Sequence, residues 1–256
     1  MSYFKIPKVQ LIITLLLIYL TSIFKFPTST SLYLLIACVS LNVFFDLLFT
    51  YLRKRVFFTP YAAIASGLIM ALIINQSANL LQIIAAAFFA MGLKNFLRPG
   101  GRHIFNPVAS GLFLAGLIFG EYIGWWGVSF QTFSLQNILF FLILMLPGLV
   151  SILRLKKHYS FFSYILISSL ASQLFFSSDP FSTLLNPSIL FFALVMLPEP
   201  MTSPVKPINQ TLYGAIIALI PFLFALPLLN QIQNYLAFDP LLFALLLANL
   251  MFFRYR

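Results

Sequence analysis

The sequence predicts an all-α membrane protein of about ten transmembrane helices, arranged as two inverted five-helix repeats with short broken helices. Apolar residues make up 61% of the 256 positions and charged residues only 8%, whereas a soluble domain carries roughly 25% charged residues. The apolar residues are grouped in runs of the kind that enter a bilayer. The spacing of these runs also repeats along the chain, which is typical of many transporters and channels.

Ten apolar segments follow one another from the N-terminus onward. The first follows Lys5 and Lys8 as a signal peptide would, but no small-residue cleavage site follows it, so we interpret it as a retained helix. No hydrophilic stretch is long enough for an extramembrane domain, and residues 1–256 are therefore predicted to form one transmembrane domain. The predicted spans are 9–24, 30–51, 60–75, 80–96, 107–120, 135–153, 159–177, 187–198, 209–229 and 234–253.

The basic residues predict an orientation. With the N-terminus in the cytoplasm, fourteen of the fifteen Lys and Arg residues lie in cytoplasmic segments or, for Lys94, near the cytoplasmic end of a predicted span, and only Lys25 lies outside. A wrong number of spans would disturb this alternation, so the distribution supports ten spans in a cell inner (cytoplasmic) membrane, with both termini cytoplasmic. The net charge of +10 is divided among short loops, which favours a lipid bilayer and argues against nucleic acid as a partner.

An internal repeat is visible in the spacing of the spans. The starts at 9, 30, 60, 80 and 107 recur 126 to 129 residues later. Repeat one covers about 9–121 and repeat two about 135–253. Because each repeat has five spans, an odd number, the second repeat must enter the membrane from the opposite face.

Three predicted spans are too short to cross a bilayer comfortably. They begin at Thr59-Pro60, Asn106-Pro107 and Asn186-Pro187. A Thr or Asn oxygen can cap the first turn of a helix, and proline fits its first position. Broken helices at membrane depth often line binding sites, because irregular backbone survives there only beside a cavity or inside protein. The simpler interpretation is that these prolines only end loops at the membrane surface.

Few side chains indicate chemistry. Asp46 lies within a predicted span, whereas Asp239 lies near the outer end of the last one, and we interpret Asp46 either as a functional group or as half of a structural ion pair with Arg53–Arg55. Tyr122, Trp125 and Trp126 indicate an aromatic belt or, alternatively, a stacking surface for a planar cofactor. The chain has one cysteine and two histidines, and it shows neither a zinc cluster nor a nucleophile triad, so we predict no metal site and no catalytic residue.

Two segments resemble a known family. Residues 100–111 read Gly-Gly-Arg-His-Ile-Phe-Asn-Pro-Val-Ala-Ser-Gly, and 201–207 read Met-Thr-Ser-Pro-Val-Lys-Pro ahead of Leu212-Tyr-Gly214. Both are similar to segments of the NqrB/RnfD family, the related membrane subunits of the sodium-pumping NADH:quinone reductase and of the Rnf ion-translocating electron transport complex. The resemblance covers most of the chain from about Pro60 onward, and that family's fold also has ten segments in two halves.

The resemblance implies a membrane subunit of an electron transport complex, which couples flavin-mediated electron transfer to ion translocation together with other membrane and cytoplasmic subunits. Such a subunit is not catalytic alone. FMN or riboflavin is the cofactor that the family implies. The residues carried over as cofactor-binding positions are Arg102, His103, Asn106, Pro107, Thr202, Ser203 and Pro204. The alternative interpretation of Asn106 is that it only caps its helix.

The chain departs from the family in the loop after the fifth predicted span. The family usually has a Ser/Thr-Gly-Ala-Thr sequence there, whose last threonine carries FMN through a phosphoester. In this chain Thr132 and Ser134 are flanked by Phe130, Gln131 and Phe133 instead. Because a transferase must place one hydroxyl accurately, these bulky neighbours predict that covalent FMN is absent.

A second function of a different class fits the same sequence. Inverted five-helix repeats with broken helices also form stand-alone channels or transporters, here for a small polar solute or a flavin. The missing flavin anchor keeps this alternative open, since fold alone does not decide function.

Overall fold

The computed structural model describes residues 7–25, 29–54, 56, 58–120, 123–129, 135–177 and 179–256. Within these residues the chain is helical, and apart from one isolated bridge between Ile74 and Ile123 they contain no strand. The helices are α1 (Pro7–Lys25), α2 (Ser29–Lys54), α3 (Tyr61–Ile73), α4 (Leu80–Phe96), α5 (Pro107–Phe119), α6 (Leu135–Leu155), α7 (His158–Phe176), α8 (Pro180–Leu184), α9 (Pro187–Phe191), α10 (Pro207–Leu223), α11 (Pro227–Leu236) and α12 (Pro240–Met251).

Helix length and composition make this a multi-pass membrane protein, as the sequence predicted. In the described part of the chain, α1, α2, α6 and α7 are long and apolar enough to cross a membrane. The pair α10 and α11 would add a fifth span, although the two helices are bent by 91°. Each of the ten predicted spans contains a helix. The remaining helices are shorter than a bilayer requires, so the count of ten spans stays a prediction.

Two of the three predicted helix caps are confirmed. The Asn106 side chain accepts a hydrogen bond of 3.1 Å from the Ala109 N–H, and the Asn186 side chain accepts bonds from the first turn of α9. The prediction for Thr59 is wrong. The structure begins α3 at Tyr61, one residue after Pro60, without any side-chain cap. The Thr59 carbonyl accepts from the Tyr61 N–H instead.

The short helix α3 is mostly buried and packs against α1, α2 and α5. Its 13 residues rise about 20 Å, less than the roughly 30 Å of a hydrocarbon core. Beyond its end, the Gly124 and Trp125 N–H groups both donate to the Ile73 carbonyl at 2.9 Å, and the Trp126 indole donates to the Ala71 carbonyl at 2.9 Å. Protein groups therefore satisfy carbonyls where this helix stops inside the bundle.

The eighth predicted span is also irregular. Helix α9 has only five α-helical residues and continues as a π-helical turn over Phe192–Met196. Such turns insert one extra residue per turn and are frequent near functional sites.

The predicted boundary between the last two spans is wrong. The sequence predicted spans over 209–229 and 234–253, whereas α10 ends at Leu223 and the chain turns by 91° into the separate helix α11. Prolines begin both following helices, at Pro227 and Pro240, and Ala237 between them has a left-handed backbone. Asp239 caps α12 through bonds to the Leu241 and Leu242 N–H groups. The predicted loop at 230–233 therefore lies inside α11.

Helix packing follows a similar pattern in the two halves. In the first half α2 packs on α3 and α4, α4 packs on α5, and α1 packs on α3. In the second half α7 packs on α10, α10 packs on α12, and the π-helical turn contacts α6 and α7. The halves meet through α1 with α6 and through α5 with α12.

Candidate functional site

The two segments that carry the family resemblance meet at one end of the bundle. The His103 ring and the Glu199 carboxylate approach to 3.1 Å between Nε2 and Oε1, although 96 residues separate them. Glu199 Oε2 accepts a hydrogen bond of 2.9 Å from the Thr202 hydroxyl. The Ser203 hydroxyl donates to the Glu199 backbone carbonyl at 2.7 Å. Glu199 therefore joins the loop before α5 to the loop before α10.

Asn249 of α12 makes a second connection between the same loops. Its Oδ1 accepts from the Asn106 backbone N–H at 2.8 Å, and its Nδ2 donates to the Tyr213 hydroxyl at 2.7 Å. A longer bond of 3.4 Å runs from Nδ2 to the Thr202 carbonyl. Asn249 and Thr202 are fully buried. Since a buried polar group without a partner is costly, this amide favours a single arrangement of α5, α10 and α12.

Arg256 binds the two loops from a third direction. Its guanidinium donates to the carbonyls of His103 at 2.9 Å and Ile104 at 2.6 Å in the first loop, and to the carbonyl of Met201 at 3.3 Å in the second. We call the set formed by His103, Asn106, Glu199, Thr202, Asn249 and Arg256 the basic-end cluster, and the end of the bundle where it lies the basic end.

Lys157, between α6 and α7, holds the second loop from the other side. Its ammonium is buried and donates to the carbonyls of Ser203 at 3.1 Å and Pro204 at 2.6 Å. The neighbouring Gln210 side chain donates to the carbonyls of Lys156 and Val205 at 2.9 and 2.8 Å. Burial, together with the charge of Arg256, lowers the pKa of Lys157 to about 8.

This lowered pKa predicts a rise of stability with pH. Between about pH 8 and the ordinary lysine pKa of 10.5, the unfolded chain holds a proton at Lys157 that the folded chain has released. Stability therefore increases with pH across this window. We expect the apparent melting temperature of the detergent-solubilised protein, relative to Lys157→Gln, to rise from pH 7.5 to 9.5.

The matched control is Lys156→Gln, because Lys156 is exposed and next in sequence. The control should follow the native protein across the same pH range. If the difference in melting temperature between the native protein and Lys157→Gln did not change with pH, the lowered pKa of Lys157 would be contradicted.

The structure brings six of the seven predicted site residues together. His103, Asn106 and Thr202 belong to the basic-end cluster, Ser203 and Pro204 lie beside it, and Pro107 begins the adjoining helix α5. Asn106 caps α5, as the simpler interpretation holds. Arg102 is different: it is exposed and lies outside these hydrogen bonds.

Sequence reasoning missed four residues at this site: Glu199, Asn249, Arg256 and Lys157. One signal was available, because Asn249 is an amide inside the apolar run 240–253 of the last predicted span, and polar residues at membrane depth are rarely without a function. The other three follow from contacts between residues that are distant in the chain.

A second polar group lies within the membrane region, at Asp46. Its Oδ2 forms an ion pair of 2.8 Å with the Lys94 ammonium on α4, and its Oδ1 accepts from the Asn95 amide at 2.8 Å. The predicted partners were Arg53–Arg55. That prediction is wrong for Arg53, which reaches Asn95 at 3.5 Å, and Arg55 lies outside the described residues. An ion pair between α2 and α4 accounts for this buried acid.

The two tryptophans after α5 bind protein groups. The Trp125 indole donates to Asp239 Oδ2 at 2.8 Å, so it holds the cap of α12. Trp126 donates to the Ala71 carbonyl and packs edge-on against Tyr19 at 5.6 Å between ring centroids. Their indoles thus stabilise loops. Tyr122, Thr132 and Ser134 lie outside the described residues, and the absence of covalent FMN stays a prediction.

The fold and the basic-end cluster define an all-α, multi-pass membrane protein whose loops are fixed by buried hydrogen bonds at one end. Comparison with known protein-family models gave no match to the chain, and comparison with curated proteins gave no significant match.

Proposed function

We propose that the chain is a membrane subunit of an Rnf- or quinone-reductase-type electron transport complex, which couples flavin-mediated electron transfer to ion translocation. The observation that carries the proposal is the contact between His103 and Glu199 at 3.1 Å. His103 belongs to the first segment that resembles the family, and Glu199 stands two residues before the second, where its carboxylate also accepts from Thr202. Two chance resemblances in distant parts of a chain would have no reason to share a buried hydrogen-bond network.

The packing pattern supports the inverted-repeat architecture of ten spans in this proposal. With α1, α2, α3, α4 and α5 as counterparts of α6, α7, α9 with its π-helical turn, α10 and α12, most packed pairs of one half recur in the other. The halves touch through the counterpart pairs α1 with α6 and α5 with α12. Contacts of this kind are expected beside a pseudo-two-fold axis.

In the proposed orientation the basic end faces the cytoplasm, because fourteen of the fifteen Lys and Arg residues are then cytoplasmic. In a Cys38→Ser background, a cysteine introduced at the exposed Tyr255 should resist an impermeant thiol reagent in intact cells. Labelling of that cysteine from outside would contradict the orientation.

A flavin does not fit within the basic-end cluster itself. The N–H groups of Asn106 and Ala109 are bound by Asn249 and Asn106, and the cations Lys157 and Arg256 donate to backbone carbonyls. Arg102 is the exposed cation of the seven predicted residues and the one available to an anionic ligand. The proposed role of the other six is to position the loops that a partner subunit or cofactor contacts, and FMN or riboflavin would be held noncovalently.

The test is to purify an affinity-tagged chain from its own cells in mild detergent. We expect other membrane and cytoplasmic subunits to copurify, together with flavin and iron–sulfur absorbance. On a denaturing gel the band of this chain should show no flavin fluorescence. Glu199→Gln should reduce the recovered partners, whereas Arg154→Gln, on the exposed end of α6, should not. A folded chain that purifies without partners or flavin would contradict the proposal.

The second candidate is a stand-alone channel or transporter for a small polar solute or a flavin. The specific observation in its favour is that α3 and α9 both end or change geometry inside the bundle, as helices do in many transporters. If this candidate is right, proteoliposomes that contain this chain alone should take up more riboflavin than empty liposomes do. If the chain is only a subunit of a complex, the two should take up equal amounts.

A further inference from the structure

A cavity of 320 Å³ lies at the end of the bundle opposite the basic end. Its walls come from the second half of α7, from α8, from the first turns of α9 and α12, and from the last turns of α10. At roughly 30 Å³ per water molecule, it has room for about ten waters or one small organic molecule. None of the seven predicted site residues lines it.

One wall of the cavity carries hydroxyl groups. Tyr164, Ser168 and Ser172 repeat every four residues and therefore form one stripe along α7. The Thr183 hydroxyl of α8 donates to Ser172 Oγ of this stripe at 2.9 Å. Hydroxyl oxygens that already take part in such bonds keep lone pairs that accept from a ligand.

Aromatic rings form another wall. Phe176 and Phe222 lie 5.8 Å apart between ring centroids at an angle of 39°. Both line the cavity, and most of the remaining lining is aliphatic. Flat rings pack well against such faces.

The lining also favours ligands without a charge. Among the described residues that line the cavity there is no Asp, Glu, Lys, Arg or His. A charged ligand would have no counter-ion among these residues, and moving its charge out of water onto them is costly. A neutral ring places its polar edge on the hydroxyls and its faces on the phenylalanines.

We propose that this cavity is a binding site for a small, neutral ring compound that carries a hydroxyl or carbonyl oxygen, because the hydroxyl stripe of α7 faces aromatic rings there without any charge. The proposal does not depend on the electron-transport function. It holds equally for a subunit of a complex and for a stand-alone protein.

The experiment uses three probes with the same ring system. 1-Naphthol is neutral and has a hydroxyl, naphthalene lacks it, and 1-naphthoate carries a negative charge. Binding is measured by fluorescence titration of the full chain in nanodiscs, with empty nanodiscs as the reference for partition into lipid. We expect saturable binding of 1-naphthol, weaker binding of naphthalene and no saturable binding of 1-naphthoate.

Two variants locate the binding in the cavity. Ser172→Phe fills the space and should weaken 1-naphthol binding more than tenfold, whereas Ser40→Phe, an identical change at an exposed position of α2, should leave it unchanged. Thr183→Val keeps the volume but removes a hydroxyl. It should weaken 1-naphthol about fivefold, the size of one neutral hydrogen bond, and leave naphthalene unchanged.

Three results would overturn the proposal. They are the absence of saturable 1-naphthol binding, equal binding of 1-naphthoate, and unchanged binding in the Thr183→Val and Ser172→Phe variants. Thr183→Val keeps the side-chain volume and is therefore expected to fold. Its elution from a size-exclusion column, compared with that of the native protein, checks this.

Discussion

Asp46→Leu should lower the free energy of unfolding by about 3–5 kcal/mol, because it leaves the Lys94 ammonium buried without its counter-charge. The pair is short, at 2.8 Å, and the exposed fractions of the two side chains are 12% for Lys94 and 1% for Asp46. The measurement is a denaturant titration of the protein in bicelles, followed by tryptophan fluorescence.

The matched variant is Asp46→Leu combined with Lys94→Met. Removing both charges also removes the cost of taking them out of water, so the double variant should recover to within about 1 kcal/mol of the native protein. A double variant as unstable as Asp46→Leu would contradict an ion pair as the source of the loss.

The double variant also decides the role of Asp46, which the sequence left open. A stable double variant that keeps the activity of the native protein would make the pair structural. A stable double variant that loses activity would make Asp46 or Lys94 part of the function, as intramembrane charged residues often are.

Gly214→Val should cost at least about 1–3 kcal/mol, the usual range for overpacking. A Cβ on Gly214 would collide with the Ser160 carbonyl oxygen and lie 3.0 Å from the Tyr164 backbone nitrogen. Both atoms are backbone, so neither can rotate away, and α7 and α10 would have to separate. Because Ser160 lies three residues after Lys157, the change should also disturb the second loop of the basic end.

Gly92→Val is the control for this prediction. A Cβ on Gly92 would meet only a Phe49 ring atom at 3.7 Å, an ordinary contact. The control therefore measures the effect of valine on a helix without the collision. Equal stability of the two variants in the same titration would mean that α7 and α10 do not depend on close approach at Gly214.

Several features of the fold could be predicted from the sequence because they depend on neighbouring residues. Apolar runs identify helices, since backbone groups in a bilayer must be satisfied within the helix. The pairs Asn106-Pro107 and Asn186-Pro187 begin helices where predicted, because a cap acts within one turn. Thr59 fails as a cap because Pro60 adopts a backbone angle outside the helix, which puts Thr59 one residue too early.

Part of the candidate site could also be predicted from the sequence, and part could not. Its two segments were found from their resemblance to a family, which needs only short stretches of sequence. The contacts that join them needed the fold: Glu199 meets His103 across 96 residues. Lys94, the partner of Asp46, is 48 residues away on another helix, whereas the sequence offered the nearer Arg53.

By itself the sequence determined that this is a helical membrane protein and where most of its helices begin. These properties follow from hydropathy and from interactions within a few residues. Only the tertiary structure decided that Asn249, Arg256 and Lys157 hold the two loops together, and that α7 and α8 help to line a cavity without charged side chains. The physical reason is that hydrogen bonds and cavities depend on which side chains meet across helices, and the order of residues along one helix does not specify its neighbours.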